Sequence, residues 1–264
     1  MGIEMNKLFD LSGKVAVVTG GNGGIGFGIA KGLAAAGASI AIIGRNQAKT
    51  LDAAAQLAIE YEIRSTGFVA DISQPEHVGG VVESILSQFG GIDILVNNAG
   101  INIRKRPESL TLEEWNEVIR INLTGSFMMS KAVYPAMKQQ KSGKIINIGS
   151  MTSIFGAAFA PAYAASKSGV VQLTKSLALA WAADGIQVNC ILPGFIETDL
   201  TDKARVEVPE VYDKVVGRIA AGRWGRPDDL AGTAVWLASS ASDYVTGVAV
   251  AVDGGYSSAY NILI

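Results

Sequence analysis

The residues of this chain best suited to chemistry are a tyrosine and a lysine four positions apart, Tyr163 and Lys167. Residues at this spacing share one face of an α-helix, with Cβ atoms about 5–6 Å apart. A positive charge beside a phenol favours the phenolate, so we expect Lys167 to lower the pKa of Tyr163 toward neutrality. Such a phenol can donate and accept protons at the pH of a cell. The pair alone is a weak signal, because an amphipathic helix can contain it by chance.

A second candidate is the glycine-rich stretch from Thr19 to Gly26, which reads Thr-Gly-Gly-Asn-Gly-Gly-Ile-Gly. It follows an apolar run at 14–19 and opens a helical pattern at 24–36. Glycines permit a tight turn and a close approach of backbone to phosphate, and a helix N-terminus offers N–H groups to a pyrophosphate. This strand–turn–helix context predicts a dinucleotide site. The alternative is a tight turn without a ligand.

The end of the second predicted strand bears on which dinucleotide binds. The chain there reads Ile-Ile-Gly-Arg-Asn at 42–46, with an arginine and without an acidic residue. An acidic residue would bond the ribose 2′-hydroxyl of NAD, whereas an arginine suits the 2′-phosphate of NADP. We therefore expect NADP as the cofactor. NAD is the alternative if Arg45 is solvated and the site tolerates both.

The elements that position these residues alternate between short apolar runs and longer helical patterns. Strands are predicted at 14–19, 39–44, 66–70, 93–97, 144–149, 186–192 and 247–252, and helices at 24–36, 47–62, 75–88, 111–138, 161–183 and 227–238. Strands that are apolar on both faces and alternate with helices predict an α/β fold, a Rossmann-type doubly wound parallel seven-stranded sheet with helices on both faces. We interpret 1–264 as a single dinucleotide-binding and catalytic domain, with a substrate lid at about 195–222.

Composition narrows the function classes. Hydrophobic residues make up 49% of the 264 residues, and the formal net charge is −2 without a basic run, so no nucleic-acid partner is expected. No apolar run is long enough for a membrane span and the N-terminus does not resemble a signal peptide, which favours the cytoplasm. A single cysteine, Cys190, and a single histidine, His77, argue against a metal site or a histidine-based hydrolase.

These residues, taken in order, resemble the short-chain dehydrogenase/reductase family over about 10–255. The motifs that carry the resemblance are the Thr19–Gly26 turn, Asp71 with Ile72, Asn97-Asn98-Ala99-Gly100, Asn122, Ser150, the Tyr163 and Lys167 pair, Pro193-Gly194 and Thr198. The resemblance implies hydride transfer between a nicotinamide cofactor and a secondary alcohol or ketone. Tyr163 would move the proton, and the nicotinamide would accept hydride on its pro-S face.

The resemblance also assigns roles to individual residues. It implies a catalytic tetrad of Asn122, Ser150, Tyr163 and Lys167, in which Asn122 lies in a helix irregularity that anchors a water. Ser153 competes with Ser150, although family spacing favours Ser150. The expected cofactor contacts are Gly20, Asn22, Gly24, Ile25, Gly26, Arg45, Asp71, Ile72, Asn98, Ala99, Gly100, Tyr163, Lys167, Pro193, Gly194, Ile196 and Thr198.

The substrate is expected to contact Ser150, Tyr163 and a loop with three successive cations, Arg104, Lys105 and Arg106. Such cations at the rim of a site attract an anion, and an arginine can grip a carboxylate with two bonds. This loop and the stretches at 220–230 and 237–245 are similar to gluconate 5-dehydrogenases and 2-deoxy-gluconate 3-dehydrogenases. We expect Arg104 to bind the carboxylate of a sugar acid.

Alternatives to the sugar acid remain open. A 3-ketoacyl thioester, a small ketone or a secondary alcohol would suit the same reaction. A non-catalytic redox sensor that binds the cofactor belongs to another class, which the retention of Ser150, Tyr163 and Lys167 disfavours. The family commonly forms tetramers through the predicted helices at 111–138 and 161–183 and the last strand, so a homotetramer is expected. The tail at 256–264 would pack on a neighbouring subunit or on its own core.

Overall fold

A seven-stranded parallel β-sheet is the centre of this computed structural model, which describes residues 4–198, 201 and 214–258. The strands are β1 (Val15–Thr19), β2 (Ser39–Gly44), β3 (Ser65–Val69), β4 (Ile94–Asn97), β5 (Gly143–Ile148), β6 (Ile186–Pro193) and β7 (Ala249–Val252). They lie in the order β3-β2-β1-β4-β5-β6-β7 with parallel neighbours throughout. The predicted doubly wound sheet is confirmed.

Helices cover both faces of the sheet. They are α1 (Met5–Leu8), α2 (Gly24–Ala35), α3 (Gln47–Tyr61), α4 (Pro75–Phe89), α5 (Leu112–Ile119), α6 (Gly125–Gln140), α7 (Pro161–Trp181) and α8 (Ala231–Ala238). Short 3₁₀ turns lie at Pro107–Ser109, Met151–Ser153, Ala182–Asp184, Pro227–Leu230 and Ser240–Ser242. One apolar cluster packs α2, α3 and α8 on one face, and a second packs α4, α6 and part of α7 on the other.

Local sequence explains where several helices begin. The Asn46 side chain accepts a hydrogen bond from the backbone N–H of Lys49, which caps the first turn of α3. Thr111 and Glu114 form a reciprocal capping box at the start of α5. Pro75 opens α4, where its fixed φ suits a first helical position. These caps lie beside the cofactor and substrate loops and fix where each loop ends.

The edge strands depart from the expectation that all strands are apolar and buried on both faces. β1, β2, β4 and β5 are almost wholly buried, whereas residues of β7 alternate between exposed and half-buried. In β3, Val69 is 53% exposed. Among the described strands, β3 and β7 each pair with one neighbour, and both are less buried than the central strands. The expectation was therefore wrong for both edges.

The helix predicted at 111–138 is interrupted at its centre. α5 ends at Ile119, α6 begins at Gly125, and a π-helical turn at Arg120–Thr124 joins them. The backbone N–H of Gly125 donates to the carbonyl oxygen of Arg120, the five-residue bond that defines such a turn. The helix irregularity expected at Asn122 is therefore present.

Two predictions extend beyond the described residues. The predicted lid at about 195–222 is described only at 195–198, 201 and 214–222, and the predicted tail only up to residue 258. Within the described part, Tyr256 packs its ring against Phe155 and Phe195 of the same chain. This segment of the tail thus covers its own core.

Candidate active site

The predicted site residues meet at the carboxyl edge of the sheet. β1, β4, β5 and β6 are successive neighbours in space, so the segments that follow them lie side by side. The strand order reverses between β1 and β4, and ligands of open α/β sheets bind at such a point. The glycine turn follows β1, the Asn-Asn-Ala-Gly segment follows β4, and Ser150 follows β5.

The glycine turn is held by backbone geometry and by the side chain of Asn98, directly after β4. Gly20 has a φ of +62°, and a Cβ on Gly26 would collide with the Gly20 carbonyl oxygen and Asn98 Nδ2. Asn98 Nδ2 donates to the carbonyl oxygens of Thr19 at 3.0 Å and Gly20 at 3.1 Å. Thr19 Oγ1 in turn accepts from the backbone N–H groups of Asn98 and Ala99. The amide of Asn98 is thus used to brace the turn.

The turn leaves space and donors for a phosphate group. α2 begins at Gly24, and its N-cap residue, Gly23, offers no capping side chain to the first N–H groups. A Cβ on Gly23 would meet nothing within 4 Å, so open space faces this helix N-terminus. Ile25 is half-buried in the first turn of the helix. These features fit the pyrophosphate of a dinucleotide.

The region that would hold the adenosine ribose is built around Asn22. Its Nδ2 donates to Thr50 Oγ1 in α3 at 3.0 Å. A Cβ on Gly44 would collide with both atoms, so a glycine is needed where β2 ends. Arg45, the next residue, is exposed. An exposed guanidinium at this position suits a phosphate on the ribose.

Asp71 lies in a turn after β3. Its Oδ1 accepts from the backbone N–H of Ser73 at 2.9 Å and from Ser73 Oγ at 2.6 Å. Burial acts to raise the pKa of Asp71, but the Ser73 hydrogen bonds and the charges of Arg45 and Arg120 outweigh it and lower the pKa. Ile72 is buried beside it. The carboxylate is therefore an ionised acceptor, as an adenine amino group requires.

The two competing serines have different surroundings. Ser150 Oγ accepts from the backbone N–H of Thr152 at 3.1 Å and also hydrogen-bonds the phenol of Tyr163. Ser153 Oγ accepts from the backbone N–H of Ser150 and donates to the carbonyl oxygen of Lys167 at 2.8 Å. Ser153 therefore ties the Ser150 loop to α7, and only Ser150 reaches the phenol.

The expected effect of Lys167 on Tyr163 is wrong for this structure. Lys167 Nζ lies 5.7 Å from the centre of the Tyr163 ring, but it donates to the carbonyl oxygen of Ile148 at 2.7 Å. Burial lowers the pKa of Lys167 to about 8. Burial raises the pKa of Tyr163, and the hydrogen bond from Ser150 opposes this only in part. Desolvation of the phenol thus sets the direction of the shift.

Asn122 joins the loop after β4 to the helix that carries Tyr163 and Lys167. Its Oδ1 accepts from Ile101 N at 2.8 Å, and its Nδ2 donates to the Ile101 carbonyl oxygen and to Ser166 Oγ, both at 3.0 Å. A Cβ on Gly100 would lie 3.1 Å from Asn122 Oδ1 and 3.6 Å from Lys167 Nζ. The predicted tetrad and the cofactor segment therefore form one contiguous site.

Ser166 is a site residue that the sequence interpretation missed. It is fully buried, and its Oγ accepts from Asn122 while donating to the carbonyl oxygen of Tyr163 at 2.8 Å. Its position three residues after Tyr163 carries no signal by itself, because a buried helical serine usually bonds its own preceding turn.

The loop after β6 is fixed on both sides. Pro193 ends the strand, and the backbone N–H of Gly194 donates to the Val252 carbonyl oxygen at 3.0 Å. Ile196 is buried and pairs with Gly225.

Thr198 lies opposite the glycine turn. A Cβ on Gly24 would lie 3.3 Å from Thr198 Cγ2. Thr201 Oγ1 accepts from the backbone N–H of Thr198 at 2.9 Å and donates to the Ile196 carbonyl oxygen at 2.8 Å. The segment predicted to hold the nicotinamide amide therefore faces the predicted phosphate site.

The three cations after the cofactor segment are not equivalent, which corrects the expectation of a joint cluster. Lys105 pairs with Glu114 at 2.5 Å, and Arg106 pairs with Glu108 at 2.6 Å. Arg104 is exposed and has no ion-pair or hydrogen-bond partner among the described residues. Two of the three charges are thus neutralised locally, which leaves Arg104 for a ligand.

Comparison with known proteins decides the family. A model of the short-chain dehydrogenase/reductase family, described as enoyl-(acyl carrier protein) reductase, matches residues 20–257. The chain belongs to the short-chain dehydrogenase/reductase family. It is an NAD(P)-dependent oxidoreductase acting on CH–OH groups. Within the described part of the chain, no helix has the length and apolarity of a membrane span. No group of three or more metal-ligating side chains occurs among the described residues.

Similar family members have names that concern sugar acids. The 2-dehydro-3-deoxy-D-gluconate 5-dehydrogenase of Bacillus subtilis is 47% identical over 255 residues, 96% of this chain and 98% of the relative. The 5-keto-D-gluconate 5-reductase of Escherichia coli K12 is 41% identical over 95% of this chain and 98% of the relative. A crystal structure of a gluconate 5-dehydrogenase from Burkholderia cenocepacia, in complex with NADP and tartrate, has a TM-score of 0.93 to this chain, at 39% identity over 97% of this chain and 100% of that chain.

Proposed function

We propose that this enzyme interconverts a secondary hydroxyl and a ketone on a sugar acid of the gluconate type, with NADP as its cofactor. The observation that carries the proposal is Arg104, whose two neighbouring cations are paired with carboxylates while it has no partner among the described residues. An exposed guanidinium can bind the carboxylate of a substrate with two hydrogen bonds. The names of the similar family members support the same substrate class.

Arg104 is only three residues from a backbone segment that the tetrad residue Asn122 binds. Its loop is anchored by the two hydrogen bonds between Asn122 and Ile101, three residues earlier. Three residues span at most about 10 Å, and an arginine side chain extends several ångströms further. A six-carbon acid can therefore hold its carboxylate at Arg104 and a distal hydroxyl or ketone at Ser150 and Tyr163. This arrangement favours reaction at a carbon remote from the carboxylate.

The proton transfer follows from the state of Tyr163. Because burial raises its pKa, Tyr163 is a phenol in this structure and is suited to donate a proton to the oxygen of a ketone. Ser150, which hydrogen-bonds the phenol, would hold the same oxygen. The nicotinamide supplies or accepts the hydride when it is bound. Oxidation of an alcohol requires the phenolate, which the charge of Lys167 would have to stabilise.

The preference for NADP rests on Arg45. This residue follows β2, is exposed, and lies close enough to Asp71 for its charge to lower the pKa of that carboxyl group. The same charge would attract a 2′-phosphate on the adenosine ribose. The complex of the Burkholderia cenocepacia relative with NADP supports this choice.

A pair of arginine variants tests the substrate. Arg104→Ala should raise KM for gluconate or its 5-keto form about 10- to 100-fold, the usual loss of a charged hydrogen-bonded partner, and leave a neutral polyol unaffected. Arg106→Ala is the matched control, because Arg106 is already paired with Glu108. Equal losses on acid and polyol would contradict the carboxylate contact. Faster turnover of 3-ketoacyl thioesters or small ketones would replace the sugar acid, and cofactor binding without any turnover would favour the redox sensor.

We also propose a cytoplasmic homotetramer whose contacts involve α5, α6, α7 and β7. Leu112 at the start of α5 is 68% exposed, and Phe127 on α6 is 42% exposed. Leu179 near the end of α7 is 85% exposed, and β7 is an open edge. Burial of such side chains favours association. Light scattering on purified protein would give the mass of the assembly, and cell fractionation would test the location.

A further inference from the structure

The π-helical turn at Arg120–Thr124 connects distant parts of the active site. On one side, Asn122 binds the backbone of Ile101 and the hydroxyl of Ser166. Ser166 in turn donates to the carbonyl oxygen of Tyr163 in α7. The turn thereby holds the helix with the predicted catalytic residues against the loop that leads to the substrate side.

On its other side, the same turn reaches the adenine end of the cofactor site. Arg120 Nη1 donates to the Ser73 carbonyl oxygen at 3.3 Å and to Ser73 Oγ. Ser73 is 2% exposed, and its N–H and Oγ both donate to Asp71 Oδ1. An unbroken chain of hydrogen bonds thus runs from the guanidinium of Arg120 to the carboxylate predicted to meet the adenine.

A second contact between these segments does not involve the arginine side chain. Gly125 closes the turn by donating its N–H to the Arg120 carbonyl oxygen. A Cβ on Gly125 would lie 3.1 Å from Ile72 Cδ1 and 3.3 Å from the Ile72 carbonyl oxygen. Gly125 has an ordinary helical φ of −59°, so its glycine is explained by this close approach. Both ends of the π-helical turn therefore rest on the segment at 71–73.

We propose that Arg120 is a positioning residue that couples occupation of the adenine site to the arrangement of the catalytic helix. Its carbonyl oxygen accepts the bond that closes the π-helical turn, and its side chain anchors the turn to Ser73. An adenine bound at Asp71 orders the turn at 71–73, which fixes Arg120 and thereby holds Asn122 against Ser166. The proposal rests on the predicted roles of Asp71 and Asn122 and does not depend on which alcohol is oxidised.

Kinetics give the first test. Arg120→Met keeps the length of the side chain and removes its donors, so kcat at saturating NADP should fall about 3- to 30-fold while KM for the sugar acid stays unchanged. Arg120→Lys retains a donor and should restore part of the loss. Arg64→Met is the matched control. Arg64 lies directly before β3, at the amino end of the strands and away from the site at their carboxyl ends, and it stacks on Phe89. A wild-type kcat for Arg120→Met would overturn the proposal.

Amide hydrogen exchange with adenosine 2′,5′-bisphosphate, the adenosine portion of NADP, gives a readout that a merely structural arginine would not change. In the wild type this fragment should slow exchange at 71–74 and also at 120–125. In Arg120→Met it should slow exchange at 71–74 only. If that variant fails to fold, Ser73→Ala replaces it, since it removes the hydroxyl that accepts from Arg120 and donates to Asp71 but keeps the backbone bonds of residue 73 to both partners.

Three outcomes of the exchange experiment would overturn the proposal. They are equal protection of 120–125 in variant and wild type, no protection of 120–125 in the wild type, and failure of the fragment to bind. Failure of the proposed function would look different. A wild type that shows the expected exchange pattern but oxidises no sugar acid would contradict the substrate and leave the coupling supported.

Discussion

The glycine turn at 19–26 and the loop at 100–106 leave the same edge of the sheet, yet they are held in different ways. The glycine turn is fixed by backbone conformation and by the amide of Asn98, which bonds two of its carbonyl oxygens. The loop is anchored at its start by Asn122 and then presents an exposed Arg104. The glycine turn thus depends mainly on its backbone conformation, whereas the loop serves to present one side chain, that of Arg104.

The difference shows that cofactor recognition and substrate recognition depend on different parts of the residues. A dinucleotide is recognised by main-chain N–H groups and empty space, which require glycines at defined positions. A substrate is recognised by side chains whose charge depends on their neighbours. Lys105 and Arg106 have such neighbours in Glu114 and Glu108, and Arg104 has none within the part of the chain that the structure describes. Changes to the cofactor side should therefore affect every substrate, and changes to the loop should affect only some.

The largest effect is expected at Tyr163, where the cofactor side and the substrate side of the predicted site meet. Tyr163→Phe removes the proton donor and should lower kcat by about 10²- to 10⁴-fold with acids and neutral polyols alike. The dissociation constant of NADP should stay near the wild-type value. Stopped-flow or steady-state rates and calorimetric titration measure the two quantities.

A matched tyrosine controls for the loss of a hydrogen-bonded hydroxyl from a half-buried side chain. Tyr134 lies on α6, outside the predicted site, and its OH donates to Asp184 at 2.7 Å, so Tyr134→Phe should retain activity. Comparable losses in both variants would show that the tetrad assignment of Tyr163 is mistaken.

At Lys167, the predicted catalytic role can be compared with the effect of the residue on the stability of the fold. Its pKa is lowered from 10.5 to about 8, so the charged form is disfavoured in the folded state. At about 1.4 kcal/mol per pKa unit, this costs the fold about 3 kcal/mol below pH 8. The cost disappears as pH rises from 8 toward 10.5, because the unfolded chain then also loses the proton. Lys167→Met removes this cost together with the activity.

The measurement is the free energy of unfolding of both proteins at several pH values. Relative to the wild type, Lys167→Met should be most stable below pH 8, and its advantage should shrink as pH rises. The lost hydrogen bond to the Ile148 carbonyl oxygen lowers the stability of the variant by about 1–3 kcal/mol, so the slope with pH is the decisive quantity. A difference that does not change with pH would contradict the lowered pKa of Lys167.

Two neighbouring glycines of the cofactor turn sharpen the comparison. A Cβ on Gly26 would collide with the Gly20 carbonyl oxygen and Asn98 Nδ2, whereas a Cβ on Gly23 would meet nothing within 4 Å. Gly26→Ala should destabilise the protein without cofactor by about 1–3 kcal/mol, the usual cost of overpacking. Gly23→Ala should change its stability little. Denaturant unfolding measures both, and equal stabilities would contradict the brace between Asn98 and the turn.

The sequence was sufficient for features that depend on local pattern. The strands and the glycine turn were predicted because apolar runs and glycine spacing report the backbone directly, whereas the helix irregularity at Asn122 was implied only by the family resemblance. Features that depend on burial or on partners distant in the chain were not predicted. The pKa of Tyr163 rises because of its surroundings, and Ser166 and Arg120 acquire their contacts only when Ile101, Asn122 and Ser73 are brought to them.

The smallest effect is expected at Arg45, where recognition again depends on a side chain, although on the cofactor side. Arg45→Ala should raise the dissociation constant of NADP about tenfold, as expected for the loss of an exposed charged contact, and leave that of NAD nearly unchanged. Arg64→Ala is the control, since Arg64 lies before the opposite end of β3. Unchanged NADP affinity would show that Arg45 is solvated and that cofactor choice, unlike cofactor binding, is made elsewhere. The salt dependence gives a further check, because a contact between exposed charges weakens as ionic strength rises, whereas the bonds that brace the glycine turn should not.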